Sequence, residues 1–385
     1  MEWAGIIGQK RVQETLSQAL KSGRIAQAYL FYGPEGVGKQ AIALYFAAAL
    51  QCSVEELDAP EASLGFRKAR KGLHPDVHVF FPTPKETDEK DLAERLRLLY
   101  EDPYRHVDPV RLPEVGMGKK GGKQAFYAVE RINEGVKPRV KYHPSEGKLQ
   151  VVILLEADYL RVEAANAFLK ILEEPNAHTV FILTSSRPER LLATIISRCQ
   201  QVRFDPLKTD ELAVALQIRV GLKQEEAQLF ARMANGSFNK AMTLAADTEI
   251  RMLREMVVNY FRAVYSRNIN QVADFHEQMT KMGRDGLKNL IRLMLLWVRD
   301  LTTFQASNKT ENLINVDFAE VITRFCNGVP QAQTDVMAEV LEEAHTLIER
   351  NVNEALILVV LQEKLFQAMR GNRVCNLYTP LVAVD

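Results

Sequence analysis

Residues Gly33-Pro34-Glu35-Gly36-Val37-Gly38-Lys39-Gln40 carry the spacing of a phosphate-binding loop, G-x-x-x-x-G-K, up to its last position. Glycines at Gly33, Gly36 and Gly38 let backbone N–H groups close around phosphate oxygens. A helix N-terminus behind them adds partial positive charge, and Lys39 adds a full one. The position after the lysine calls for Ser or Thr, whose hydroxyl ligates Mg²⁺, and here it is Gln40. An amide oxygen is a poor substitute. A nucleotide-hydrolysing loop of this kind also needs an acid at the end of a later strand to hold the metal. The matching place is Leu154-Leu155-Glu156-Ala157-Asp158.

Three other groups could do chemistry. Arg198, in Ser197-Arg198-Cys199, is a permanently charged fork suited to phosphate; the local alternative pairs it with an acid such as Asp205. His74 and His78 stand at metal-like spacing, but Asp76–Phe81 reads as a strand and no third ligand is evident, so zinc is not expected. The basic runs at Arg67–Lys71 and Gly118–Lys123 read as solvated surface, the second as a mobile loop.

The elements that must position these residues are legible from periodicity. A helix over Gln9–Lys21 leads to a buried strand at Ala28–Tyr32, then the glycine loop, then an apolar stretch at Ala41–Leu50. Asp76–Phe81 alternates like a strand. Pro82–Gly122 looks like an insertion holding one amphipathic helix at Asp91–Tyr100, with Leu92, Leu96 and Leu99 aligned. Ala128–Val136 returns to helical spacing. Leu149–Leu155 is a continuous apolar run, as in a parallel strand covered on both faces. A helix at Val162–Glu174 should stop at Pro175, followed by strands at Thr179–Thr184 and Gln200–Phe204. This alternation predicts an α/β fold, a doubly wound parallel sheet with helices on both faces.

After Asp205-Pro206 strands vanish and helical stripes take over. Leu287, Leu290, Ile291, Met294, Leu295, Val298 and Leu301 form one, and Met337, Val340, Leu341, Ala344, Leu347 and Ile348 another. Leu356–Met369 is apolar over most of its circumference and reads as the central helix of a bundle. The expected domains are 1–207, with an insertion at 83–122, a small helical domain at 208–246, and a larger helical one at 247–385.

Composition adds exclusions. The 385 residues are 47% apolar and 25% charged, with 49 basic and 49 acidic side chains. This is an ordinary globular balance with no global field toward nucleic acid or membrane. No apolar run approaches the roughly 18 residues of a membrane span, and no basic signal-peptide head opens the chain. Cys52, Cys199, Cys326 and Cys375 are scattered, as expected of reduced thiols in a cytosolic (cytoplasmic) protein.

Val151–Pro175, reading VVILLEADYLRVEAANAFLKILEEP, and Thr184–Cys199, ending T-I-I-S-R-C, resemble the bacterial clamp-loader ATPase family. His74-Pro75-Asp76 also stands where that family carries those residues. The likeness spans about 5–245 apart from the insertion. It implies a P-loop AAA+ domain, a helical lid and an all-α collar, in a hetero-oligomeric ring that loads the sliding clamp on primed DNA during replication by DNA polymerase III. The implied partners are gamma/tau and delta subunits. The nucleotide-binding set it implies is Gly33, Gly36, Gly38, Lys39, Gln40, Glu156 and Ser185, the last in the sensor-1 stretch. Lys170 and the start of its helix fall where similar helices approach template phosphates.

The departures from the family pattern lie in the metal and phosphate chemistry. Aligning Glu156 with the second acid of the family's Asp-Glu pair puts Leu155 in the metal-binding place. The sensor-2 arginine falls at Asn239, beside Lys240, and the four-cysteine zinc module is missing, with Cys52 as a remnant. Mg²⁺ and Zn²⁺ are therefore not expected, and bound ATP or ADP is left open. Arg198 stays, and the resemblance makes it an arginine finger acting in trans on a neighbour's ATP. The alternative is a catalytically active tau/gamma-like ATPase.

Overall fold

The computed structural model describes residues 3–84, 87–105, 125–174, 176–246 and 250–373. The later part of the expected insertion, from 106 on and with its Gly118–Lys123 loop, lies outside the described residues, as do Pro175 and Cys375. Backbone contacts divide the chain into two units, 1–222 with 234–243, and 223–233 with 244 onward. The segment 208–246 thus contributes to both.

The first unit begins with α1 (Lys10–Ser22), β1 (Ala28–Tyr32), α2 (Lys39–Ala49), α3 (Leu64–Arg70), β2 (Val77–Phe80) and α4 (Glu89–Glu101). A π-helical turn at Arg131–Val136 runs into α5 (Lys137–Arg139). Then follow β3 (Gln150–Leu154), α6 (Val162–Glu173), β4 (Thr179–Ser185), α7 (Ala193–Ile196), β5 (Gln200–Arg203) and α8 (Thr209–Val220). The strands lie in the order β2-β3-β4-β1-β5, every neighbouring pair parallel.

Alternate strand residues feed two cores. Tyr29, Phe31, Val151, Ile153 and Ile182 pack with Leu16 of α1, Ile42 and Phe46 of α2 and Phe66 of α3. Leu30, Val152, Leu154, Phe181 and Leu183 pack on the other face with Ala164 and Phe168 of α6 and Ile195 of α7. A strand covered on both faces has no solvent side to mark with polar residues, so its apolar run is unbroken. The same logic explains α2, where every residue except Gln40 is buried.

One expectation needs correction. On α4 the buried residues are Arg95, Leu98 and Leu99, while Leu92 and Leu96 are only half-buried. Arg95 and Leu98 extend the buried face beyond Leu96 and Leu99, which pack on the α1, α2 and α3 side of the sheet. The basic run Arg67–Lys71 falls on and just after α3, which turns Phe66 and Ala69 inward.

The second unit is helical: α9 (Gln224–Met233), the end of α10 (Phe238–Ala246), α11 (Ile250–Tyr265), α12 (Ile269–Lys281), α13 (Gly283–Ser307), α14 (Ala319–Gly328), α15 (Thr334–Glu349) and α16 (Glu354–Met369). The α13 stripe extends through Trp297 and Phe304, and it joins the α15 stripe in one core. The α16 helix is not central. Ile357, Leu358, Leu361 and Leu365 face the core, but Leu356 and Val359 are 65% and 54% exposed. Apolar residues around the whole circumference therefore reflect a buried face and an open one, not burial all round. No helix among the described residues is long and apolar enough to cross a membrane.

Buried polar groups pin the loops of this unit. The Asp300 carboxylate of α13 accepts the backbone N–H groups of Ile314 and Asn315 at 2.8 and 2.7 Å and the Asn315 side-chain amide at 2.7 Å. Asn315 Oδ1 in turn accepts from Arg254, which also reaches Asp317. Arg232 of α9 donates to the carbonyls of Glu311 and Leu313, fixing that helix to the same loop.

Candidate nucleotide site and an exposed arginine

The sheet order sets β1 beside β4, so the loop leaving β1 meets the loop leaving β4. Such crevices beyond the carboxyl ends of parallel strands are where α/β folds bind ligands. Gly36 and Gly38 hold φ of +75° and +94°, backbone that side chains rarely adopt. A Cβ on Gly36 would also collide with the Ser237 hydroxyl, and the Gly36 carbonyl accepts the Phe238 N–H at 2.8 Å. The loop is therefore closed over by the start of α10.

Lys39 is buried, and its Nζ donates to the carbonyls of Gly33 and Pro34 at 2.8 and 2.5 Å and to Ser186 Oγ at 3.0 Å. Burial pushes its pKa down to about 8, against the opposing pull of Glu35, Asp158 and Glu156. Gln40 turns its amide to the Pro103 carbonyl at 3.0 Å. Leu155 lines the same cavity, which also receives Glu156, Thr184 and Asn239. The two places that would hold Mg²⁺ thus present a side chain committed to a carbonyl and a hydrocarbon. That donor set does not fit the metal.

Glu156 sits in the left-handed region (φ 50°, ψ 53°), and its N–H donates to Thr184 Oγ1 at 2.9 Å. Ser185, expected at the nucleotide, faces elsewhere. Its hydroxyl donates to Asp158 Oδ1 at 3.0 Å while its carbonyl takes the Gly33 N–H. Asp158 is buried and paired with Arg187 at 3.0 Å. The hydroxyl that reaches Lys39 is that of Ser186, because successive side chains at a strand end point to opposite faces.

Asp76, in the His74-Pro75-Asp76 stretch, accepts three backbone N–H groups, from Ser145, Glu146 and Gly147, at 2.6, 2.8 and 2.7 Å. Burial alone would raise its pKa; the three donors hold it below the usual carboxylate range. His74 is buried beside it, with Nδ1 accepting the Asp76 N–H, and burial pushes its pKa down. His78 pairs with Gln150 instead of with His74. No group of three or more metal-binding side chains is found among the described residues.

Arg198 lies away from the cavity, just beyond α7. It is exposed, and its guanidinium donates to Glu173 at 2.9 Å and to the Thr194 carbonyl at 3.0 Å. The acid beside it is Glu173, not Asp205, which pairs with Arg11 and Arg203. An exposed ion pair of this kind contributes about 0–1 kcal/mol, so little holds the fork in place. Lys170, on the same helix as Glu173, is also exposed.

A family model described as "DNA polymerase III, delta subunit" matches residues 8–208. The chain belongs to that family. Relatives include the DNA polymerase III subunit delta' of Bacillus subtilis, 27% identical over 90% of this chain and 92% of that one. The delta' subunit of Pseudomonas aeruginosa is 29% identical over 87% and 90%. Subunit tau of Bacillus subtilis is 25% identical over 88% of this chain, which spans 57% of tau. The matched residues run from just before α1 to just before α8.

In this delta-family chain the loop glycines, Lys39, Gln40, Leu155 and Glu156 converge as their spacing anticipates. The residue that periodicity could not place is Tyr104. Its hydroxyl accepts the Ile7 N–H at 2.7 Å, and its ring lies against Gly38, 3.1 Å from where a Cβ would stand. Pro103-Tyr104 follows a helix end with no repeating pattern, so nothing in the local text marks its return to the loop.

Proposed function

We propose that the protein is a delta-prime-like subunit of the clamp loader, a largely rigid ring member that helps place the sliding clamp on primed DNA. Its role is to supply Arg198 in trans to the ATP site of a gamma/tau neighbour, not to turn over ATP itself. The observation that carries this reading is the contrast between two sites on one unit. The metal positions of its own loop are Gln40, bonded to Pro103, and Leu155, while Arg198 is exposed and held only by a surface carboxylate and a carbonyl.

The chemistry asked of Arg198 is electrostatic. A planar guanidinium offers two parallel donors to phosphoryl oxygens as charge builds on them, and in GTPase systems such a residue contributes about 10³–10⁵ in rate. The share here is smaller, because the receiving site keeps cations of its own. In this reading 208–246 acts as the lid of the P-loop domain and 247–385 as the collar that joins gamma/tau and delta subunits.

The test is DNA-stimulated ATP hydrolysis by a reconstituted loader. Arg198→Ala should lower turnover while the complex still assembles; unchanged turnover would sink the assignment. Mg²⁺-dependent hydrolysis by the isolated chain, abolished by Lys39→Ala, would instead make it a tau/gamma-like ATPase.

A further inference from the structure

The Asp102–Tyr104 segment, at the end of α4, is fastened to the P-loop unit at several points. Tyr104 is 4% exposed. Its N–H is held by Asp102 Oδ1 at 3.0 Å, Asp102 pairs with Arg219 at 3.1 Å, and the Pro103 carbonyl takes the Gln40 amide at 3.0 Å. The Arg219 guanidinium lies 4.7 Å from the Tyr104 ring centre, and the Phe238 ring meets it edge-on at 5.2 Å. Tyr104 lines the same cavity as Gly36, Gly38 and Lys39.

A nucleotide whose phosphates lie under the loop amides and Lys39 must lead its sugar and base out past the start of α2. Gly38 is that start, and the Tyr104 ring rests on it. The contacts made by the ring are those a base needs: a flat aromatic surface, an acceptor at its edge taking a backbone N–H, and a cation over its face. We propose that Tyr104 is an internal occupant of the base position, so that a purine nucleotide enters this P-loop only when Asp102–Tyr104 withdraws. The proposal rests on reading Gly33–Gln40 as a phosphate loop, and on nothing about Arg198.

Calorimetric titration of the full chain with ADP tests it, using wild type, Tyr104→Ala, Tyr104→Phe and the double variant Tyr104→Ala/Lys39→Ala. Tyr104→Ala should bind at least tenfold more tightly than wild type, and the double variant should lose that gain. Tyr104→Phe keeps the packing but removes the Ile7 contact, and should gain a few-fold. It decides the matter should the alanine variant not fold, since an unchanged affinity there would overturn the proposal. Folded Tyr104→Ala without tighter binding also overturns it. A gain that survives Lys39→Ala would refute the phosphate-loop reading instead.

Discussion

Lys39 Nζ and Ser186 Oγ, 147 positions apart in the chain, stand 3.0 Å from each other where the loops leaving β1 and β4 meet. This contact, with the two loop carbonyls, keeps an ammonium group in a buried place at a cost. The pKa of Lys39 falls from 10.5 to about 8 because burial disfavours its charge. Below pH 8 the group is protonated folded and unfolded, and the cost, about 3 kcal/mol from the shift, is fully present. Between pH 8 and 10.5 the unfolded chain binds the extra proton, so stability rises with pH relative to a variant lacking the amine. Urea unfolding of wild type and Lys39→Met should show the difference between them shifting in favour of wild type by about that amount from pH 7 to 10.5. A parallel pair of curves would contradict the shift.

Asp158 and Arg187 should respond unequally to truncation. Removing Asp158 leaves an arginine that is 38% exposed at its side chain and free to turn to water. Removing Arg187 leaves a carboxylate 2% exposed that still accepts from the Ser185 hydroxyl but has lost its guanidinium, a buried charge short of compensation. Arg187→Ala should therefore destabilise more than Asp158→Ala, by about 1–2 kcal/mol, in denaturant midpoints at neutral pH.

Asp76 makes the acid side of the stability curve steeper. Its folded pKa is depressed, so the stabilisation it contributes is whole above the unfolded carboxyl pKa and is lost as pH falls through the folded one. Asp76→Asn should lower stability at pH 7 and show a shallower decline between pH 6 and 2 than wild type. Thermal midpoints across that range measure it.

In the helical unit, Asp300→Ala removes the acceptor for three donors at once. A loss of about 3–5 kcal/mol is expected, as for other buried charges taken from their partners. Proteolysis should accelerate first near 311–317, the loop those donors hold.

β1, β3 and β4 were readable because burial on both faces writes a continuous apolar run, and β1 begins and ends at Ala28 and Tyr32 as periodicity predicts. The glycine loop was readable because positive φ, with the Ser237 and Tyr104 side chains close against Gly36 and Gly38, favours one residue type there. What escaped depends on contacts between distant residues. Ser186 rather than Ser185 faces Lys39, and a one-residue difference reverses the face without changing the local text. Tyr104 reaches Ile7 across 97 positions, and a single aromatic carries no period. The α16 helix shows the opposite limit: composition reports how apolar a helix is, and only its neighbours decide which faces they cover.

The place of β1 in the sheet also bears on how the chain is made. Its partners are β4 and β5, so Ala28 waits for Phe181 and Tyr29 for Gln200. A ribosome adding about 5–20 residues per second needs on the order of 10–30 s to supply the first of them. Until then the glycine loop at the end of β1 has no crevice to stand in, and Ala28–Tyr32 is an apolar segment that needs shelter. Limited proteolysis of ribosome-stalled chains should find it cleavable when synthesis stops before residue 179 and protected once residue 203 has cleared the exit tunnel. Early protection would mean that another segment shields it. The first strand to emerge belongs to the last part of the sheet to close.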